Sequence, residues 1–279
     1  MSNISTSSYH LVAGRELHVT EWGREHGDVI VAWHGLARTG RDMDDIAEHL
    51  SQRYRVVCPD TIGRGLSQWS PDPDREYCLA FYEQLAEGLL DALGIHRVLW
   101  LGTSMGGAIG LRAAAGALRG RIRKLVLNDI GPELPAAARQ RILTYAGNPS
   151  AFAKVSELEA YFRTIYKPYG WLSDAQWRRL TETSTRRLPN GRVTPHYDPA
   201  MVRQFVVHPD DYEQWEAWDS LEIPVLALRG ESSDLLLPEV AEAMRNRGPR
   251  AVVVTLPGCG HAPALNTPEH FALVERFFS

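Results

Sequence analysis

Cysteine is scarce in this chain: three occur in 279 residues, at Cys58, Cys78 and Cys259. They lack CxxC spacing and cannot all pair within one chain, so no disulfide framework is expected and the cytoplasm is the default compartment. Long apolar runs are also missing. None approaches the roughly 20 residues that span a bilayer, and the polar, serine-rich stretch 1–8 lacks the basic and apolar regions of a secretory signal, so no membrane is expected. Charge of one sign does not accumulate either: 30 Lys and Arg stand against 34 Asp and Glu, a net charge of -4. The most basic stretch, 118–124, is short and broken by glycines, and reads as a solvated helix end, which leaves no nucleic-acid surface. There is no HExxH, no EF-hand loop and no Cys/His cluster, so no metal is implied. The glycine-containing run DTIGRGLS at 60–67 lacks the GKS or GKT end of a phosphate loop and the GxGxxG spacing. It reads as structural, and no cofactor is implied.

Hydrophobic residues make up 44% of the chain, enough for a full core. Short Val, Ile and Leu runs at 17–22, 29–33, 55–58, 98–101, 124–128, 225–229 and 251–256 predict strands. Helical patterns at 42–52, 78–93, 104–118, 238–245 and 268–278 fall between them. This alternation predicts βα units and a mainly parallel sheet, class α/β. The rhythm stops after 128 and resumes at 223. Residues 132–220 therefore read as an insertion between two parts of a core, 1–131 and 221–279. The insertion predicts helices at 136–145, 155–166, 174–186 and 210–218, with Pro and Gly between them. Four of the eight tryptophans lie in it, Trp171, Trp177, Trp215 and Trp218.

The segment GTSMGG at 102–107 follows an apolar run and opens an alanine-rich stretch. This is the form of a nucleophile elbow, in which a serine sits on a sharp strand-to-helix turn flanked by small residues. Ser104 is the candidate nucleophile. With glycine near ~7% of residues, a bare match arises by chance in roughly one chain in ten, so its partners must carry the argument. A serine hydroxyl needs a general base, and the base needs a carboxylate to fix it. His261, in PGCGH, follows a predicted strand and is framed by small residues; it is the expected base. Asp234, in RGESSD, is the first choice of carboxylate because its loop follows the strand preceding the histidine's strand. Asp129, just after 124–128, and Glu231 are the alternatives, read as a turn residue and a loop charge. Two backbone N–H groups should hold the oxyanion: Met105, next to the nucleophile at a helix N-terminus, and Leu36, in the HGL loop after 29–33. His34 then shapes that loop. Substrate contacts are sought in the insertion, at Trp171, Trp177, His196 and Tyr197.

HGL, DTIGRGLS, GTSMGG, GESSD and GCGH, in that order, resemble the α/β-hydrolase superfamily over nearly the whole chain outside the insertion. The resemblance implies an eight-stranded, mostly parallel sheet with helices on both faces and a helical cap inserted after the sixth strand. The SMGG elbow resembles small bacterial carboxylesterases; haloalkane dehalogenases and epoxide hydrolases carry Asp where Ser104 stands. The expected function is hydrolysis of small or short-chain carboxylic esters through an acyl-enzyme, with a small-molecule ester as the partner. A carbon–carbon, lactone or amide hydrolase with the same triad is the alternative, for which Arg192 and Arg203 are the cap cations. A ligand-binding protein on the same fold is a third reading. Oligomeric state is not legible.

Overall fold

The apolar runs fold as strands of one sheet. The computed structural model describes residues 5–279, so the first half of the polar stretch 1–8 lies outside the described residues. In chain order the strands are β1 (Thr6–Val12), β2 (Arg15–Trp22), β3 (Val29–Trp33), β4 (Arg55–Pro59), β5 (Val98–Thr103), β6 (Ile122–Asn128), the short pair β7 (Thr185–Arg187) and β8 (Val193–Pro195), then β9 (Val225–Gly230) and β10 (Val252–Leu256). Eight of them form the main sheet in the order β1-β2-β4-β3-β5-β6-β9-β10. Pairing is antiparallel at β1/β2 and β2/β4 and parallel from β4 through β10. This is the α/β-hydrolase fold, with its eight-stranded, mostly parallel sheet and flanking helices.

All five residues of β3, VIVAW, are buried, as a central parallel strand covered on both faces requires. Alternation then sorts them: Ile30 and Ala32 join one core, Val29, Val31 and Trp33 the other. The helix Leu79–Ala92 seats Leu79, Tyr82, Leu85, Ala86, Leu89 and Leu90 against the second core. Each fully buried leucine contributes about 2 kcal/mol relative to exposure. The helices Asp44–Leu50 and Pro268–Phe278 cover the opposite face through Ile46, Leu50, Val274 and Phe278. The three cysteines are buried and unpaired. No helix among the described residues is long and apolar enough to cross a membrane.

Three expectations change. β1 was not expected, because its sequence TSSYHLV is polar and mostly exposed; it is an edge strand held by its register on β2 rather than by burial. The helix expected over 174–186 ends at Thr183, and the chain turns into β7, which pairs antiparallel with β8. The last helix expected before β9 shrinks to Trp215–Asp219. Between β6 and β9 no strand enters the main sheet. The helices Ala136–Ala146, Val155–Ile165 and Asp174–Thr183 lie there, and Leu158, Phe162, Tyr166, Trp177, Leu180 and Val193 form a separate apolar cluster.

Candidate active site

Ser104 stands between the end of β5 and the helix Met105–Ala115, with φ 52° and ψ -117°. A non-glycine residue holds such a conformation only where its surroundings over-determine it. They do so here through glycine. A Cβ on Gly102 would lie 2.3 Å from the Gly106 backbone, and one on Gly106 would lie 2.2 Å from the Trp33 carbonyl oxygen. The two glycines let the turn close on itself and press against β3. The Ser104 N–H donates to the Asn128 carbonyl at 2.9 Å, pinning the elbow to the neighbouring strand.

The loop after β3 reaches the same place. His34 is fully buried, its Nδ1 donating to the Gly35 carbonyl at 2.6 Å and its Nε2 accepting from the Thr61 N–H at 2.9 Å. Burial lowers its pKa to about 4, so it stays neutral and shapes the loop, as expected. The N–H groups of Leu36 and Met105 have no hydrogen-bond acceptor among the described residues. The run 60–67 proves to be their scaffold. Arg64, fully buried, donates from Nε to the Leu36 carbonyl at 2.9 Å and from Nη1 to Ile62 and Tyr82, while its Nη2 lies 3.5 Å from Met105 Sδ. Sequence reasoning missed this arginine, although a charged residue between glycines in a buried loop was a signal for a buried anchor.

The carboxylate differs from expectation. His261 Nδ1 lies 2.8 Å from Asp129 Oδ2, not beside Asp234. Asp129 is the first residue after β6, takes φ 58° and is fully buried. Its Oδ2 also receives the Ser233 hydroxyl at 2.6 Å, and its Oδ1 the Gly230 N–H at 2.8 Å. The end of β9 and the loop after it therefore hold the Asp129 carboxylate through Gly230 and Ser233. Leu235 and Leu236, just beyond, are buried in the core and donate their N–H groups to the Ser233 hydroxyl oxygen. The residue between is forced outward: the Asp234 side chain is 57% exposed and paired with Arg141 at 2.9 Å. Glu231 accepts from the Gly258 N–H at the surface.

Ser104 and His261 line a common cavity of about 270 Å³. Its other walls are mostly apolar or aromatic and include Leu36, Ile142, Tyr145, Ile165, Tyr166 and Tyr169. Burial raises the pKa of Tyr145, Tyr166 and Tyr169, so the three phenols stay neutral. The four substrate contacts expected from the insertion are not among the lining residues. Trp171 is 75% exposed; Trp177 is buried within the apolar cluster beside Leu158 and Phe162. His196 and Tyr197 are buried with their rings packed edge to face. Three of the segment's four tryptophans, Trp177, Trp215 and Trp218, pack in apolar clusters, whereas its share of the pocket wall comes from the helix Ala136–Ala146, the end of Val155–Ile165 and the Tyr166 and Tyr169 that follow. Ile142 and Tyr145, three apart, share one helix face, which was the legible signal. Arg203 pairs with Asp74 on the surface and Arg192 with the Ala151 carbonyl. No group of three or more potential metal-ligating side chains is found among the described residues.

Comparison with known proteins bears on what this geometry does. The sequence profile of the family described as alpha/beta hydrolase fold matches residues 28–268. The chain is 38% identical over 269 residues to a 3-hydroxybutyrate-oligomer hydrolase of Cupriavidus necator, covering 93% of this chain and 91% of that protein. It is 28% identical to the pimeloyl-[acyl-carrier protein] methyl ester esterase of Nitrosomonas europaea, covering 91% of this chain and 96% of that one. An α/β hydrolase from Novosphingobium aromaticivorans superposes with a TM-score of 0.84 at 32% identity, covering 99% of this chain and 98% of its own.

Proposed function

The chain belongs to the α/β-hydrolase fold family, and we propose that it is a serine hydrolase of carboxylic esters whose nucleophile, base and carboxylate are Ser104, His261 and Asp129. One observation carries the reading: a buried carboxylate holds the inner nitrogen of a histidine that lines the same cavity as the elbow serine. Asp129 fixes the tautomer with the proton on Nδ1, leaving Nε2 free to accept the Ser104 proton. Ser104 Oγ attacks the carbonyl carbon, and the Leu36 and Met105 N–H groups receive the developing oxyanion. The helix Met105–Ala115 adds its positive N-terminal end. Collapse breaks the ester C–O bond, the alcohol leaves with the proton from His261, and water activated by the same imidazole releases the acid. Residues 132–220 act as the cap that supplies most of the acyl wall.

The cavity favours short acyl groups, since about 270 Å³ lies below the ~300–1,000 Å³ of pockets for drug-sized ligands. The relatives named as an oligomer hydrolase and a methyl ester esterase support an ester bond as the target. The test is a panel of p-nitrophenyl esters of graded acyl length with wild type and Ser104→Ala. Turnover should be greatest for short chains, and Ser104→Ala should lower kcat by roughly 10⁴-fold or more. A variant retaining a tenth of the activity, or no turnover of any ester, would overturn the reading.

A further inference from the structure

The cavity holding Ser104 and His261 is lined by two arginines, Arg38 and Arg141, and by no Asp or Glu. Arg38 is the deeper one. Its N–H closes a turn on the Gly35 carbonyl at 3.1 Å, two residues beyond Leu36. A Cβ on Gly35 would lie 3.6 Å from Ser104 Cβ and 3.9 Å from Arg38 Cγ. Gly35 thus lies against both the arginine stem and the serine, beside the Thr103 carbonyl.

The guanidinium is fixed in place. Nε and Nη2 donate to the two Asp42 oxygens at 2.5 and 2.6 Å, and its centre lies 4.7 Å from the Tyr166 ring centroid. Burial opposes its charge, but Asp42 keeps it protonated. Nη1 is buried and has no acceptor at hydrogen-bond geometry among the described residues. Such a donor in an otherwise satisfied fork is one bond short; it is closed to water as it stands, so an acceptor from outside the chain meets it when the Arg38 side of the wall shifts. Arg38 lines both the catalytic cavity and an adjacent narrow cleft, whereas Asp42 lines the cleft alone. Arg141, on the helix Ala136–Ala146, is 46% exposed and pairs with Asp234, which also lies outside the cavity lining. Both cations are paired with acids outside the lining, so the lining carries two cations and no anion.

We propose that this site selects esters bearing a free carboxylate a few bonds from the scissile carbonyl, with Arg38 binding the carboxylate and Arg141 attracting it near the cavity wall. The inference rests on the ester-hydrolase reading above and names its substrate class. A short oligomer of a hydroxy acid has this form, because the unit next to its last ester ends in a carboxylate; a simple alkyl ester does not. Charge-assisted bonds to a carboxylate are short and strong where water is excluded.

The test uses the linear dimer of 3-hydroxybutyrate as the free acid and as its methyl ester, which removes the charge with little change of size. Cleavage of the internal ester is followed by chromatography. Wild type should cleave the free acid with a kcat/KM about 10- to 100-fold higher, and added salt should lower that preference. In Arg38→Gln and in Arg141→Gln the ratio should fall toward one. A ratio taken within one preparation does not depend on the folded fraction, and Arg141→Gln, at a half-exposed position, covers the case in which Arg38→Gln fails to fold. Equal rates for the two substrates in wild type, with Ser104-dependent cleavage intact, overturn the carboxylate reading and leave the hydrolase reading standing. An unchanged ratio in the variants overturns the assignment to these arginines. Failure to cleave either substrate or any p-nitrophenyl ester overturns the hydrolase reading and this proposal with it.

Discussion

Replacing Asp129 by Asn separates the two candidate carboxylates. Asp129 accepts three hydrogen bonds: Gly230 N–H on Oδ1, and the Ser233 hydroxyl and His261 Nδ1–H on Oδ2. An asparagine cannot keep all three. If its amide nitrogen replaces Oδ2, it meets His261 Nδ1–H donor to donor, and the imidazole relieves the clash by moving its proton to Nε2. That tautomer cannot accept the serine proton. If the amide nitrogen replaces Oδ1, the buried Gly230 N–H faces a donor instead. The corresponding change in a Ser-His-Asp site lowers kcat by ~10⁴-fold, about 5.5 kcal/mol of transition-state stabilisation. Asp234→Asn removes an exposed ion pair with Arg141, worth about 0–1 kcal/mol. On a neutral ester it should therefore change kcat/KM by less than about fivefold. Steady-state hydrolysis of p-nitrophenyl butyrate at pH 8 by both variants provides the comparison. Equal impairment of the two, or an Asp129→Asn enzyme within tenfold of wild type, would refute the reasoning.

Three further outcomes follow from the packing and charge. Burial lowers the pKa of His34 to about 4 and, with Arg38 adding repulsion, that of His196 to about 3. The unfolded chain protonates both near roughly 6.5, so unfolding takes up protons and stability falls as pH drops below 6.5, continuing to about pH 4 and pH 3 respectively. Each histidine should cost about 2 kcal/mol at pH 5 relative to pH 8. Urea unfolding at the two pH values checks this: His196→Gln should shrink the difference, and an undiminished difference would count against it. Gly106→Ala, whose Cβ would meet the Trp33 carbonyl at 2.2 Å, should lose about 3 kcal/mol or fail to fold. Gly27→Ala, with nothing within 4 Å, should stay within about 0.5 kcal/mol by thermal melting. Ile142→Phe fills part of the acyl wall and should abolish turnover of the longest ester accepted by wild type while sparing acetate; a parallel loss across the series would show that Ile142 does not set acyl length.

Much of the architecture was legible because local pattern and burial agree. β3, β5 and β6 are apolar runs since both faces of the sheet are covered, and the elbow glycines are required by backbone contacts of under 3 Å. The loop that carries the candidate base His261 was legible for the same reason: it follows β10 and is built of small residues. β1 escaped because an exposed edge strand has no burial pattern to read. The carboxylate was ambiguous for a different reason. Asp129 and Asp234 both follow adjacent strands, β6 and β9, and only the loop conformations decide which faces the histidine. Asp129 turns inward at its positive φ, while buried Leu235 and Leu236 hold Asp234 outward. The cavity wall was hidden further still, since the helices between β6 and β9 could present either face until their packing was known. Of the tryptophans there, Trp177 joins the cluster around Phe162, Trp215 and Trp218 pack on the main core, Trp171 is exposed, and the pocket goes to tyrosine, isoleucine and arginine.

The central claim is that Ser104 is a nucleophile activated by His261 and Asp129. Intact-mass and peptide mass spectrometry after treatment with a fluorophosphonate tests it most directly. The account predicts one adduct per chain, on Ser104, absent from Ser104→Ala, slowed by orders of magnitude in Asp129→Asn and unaffected in rate by Asp234→Asn. An adduct on another residue, or none on the wild-type chain, would contradict it.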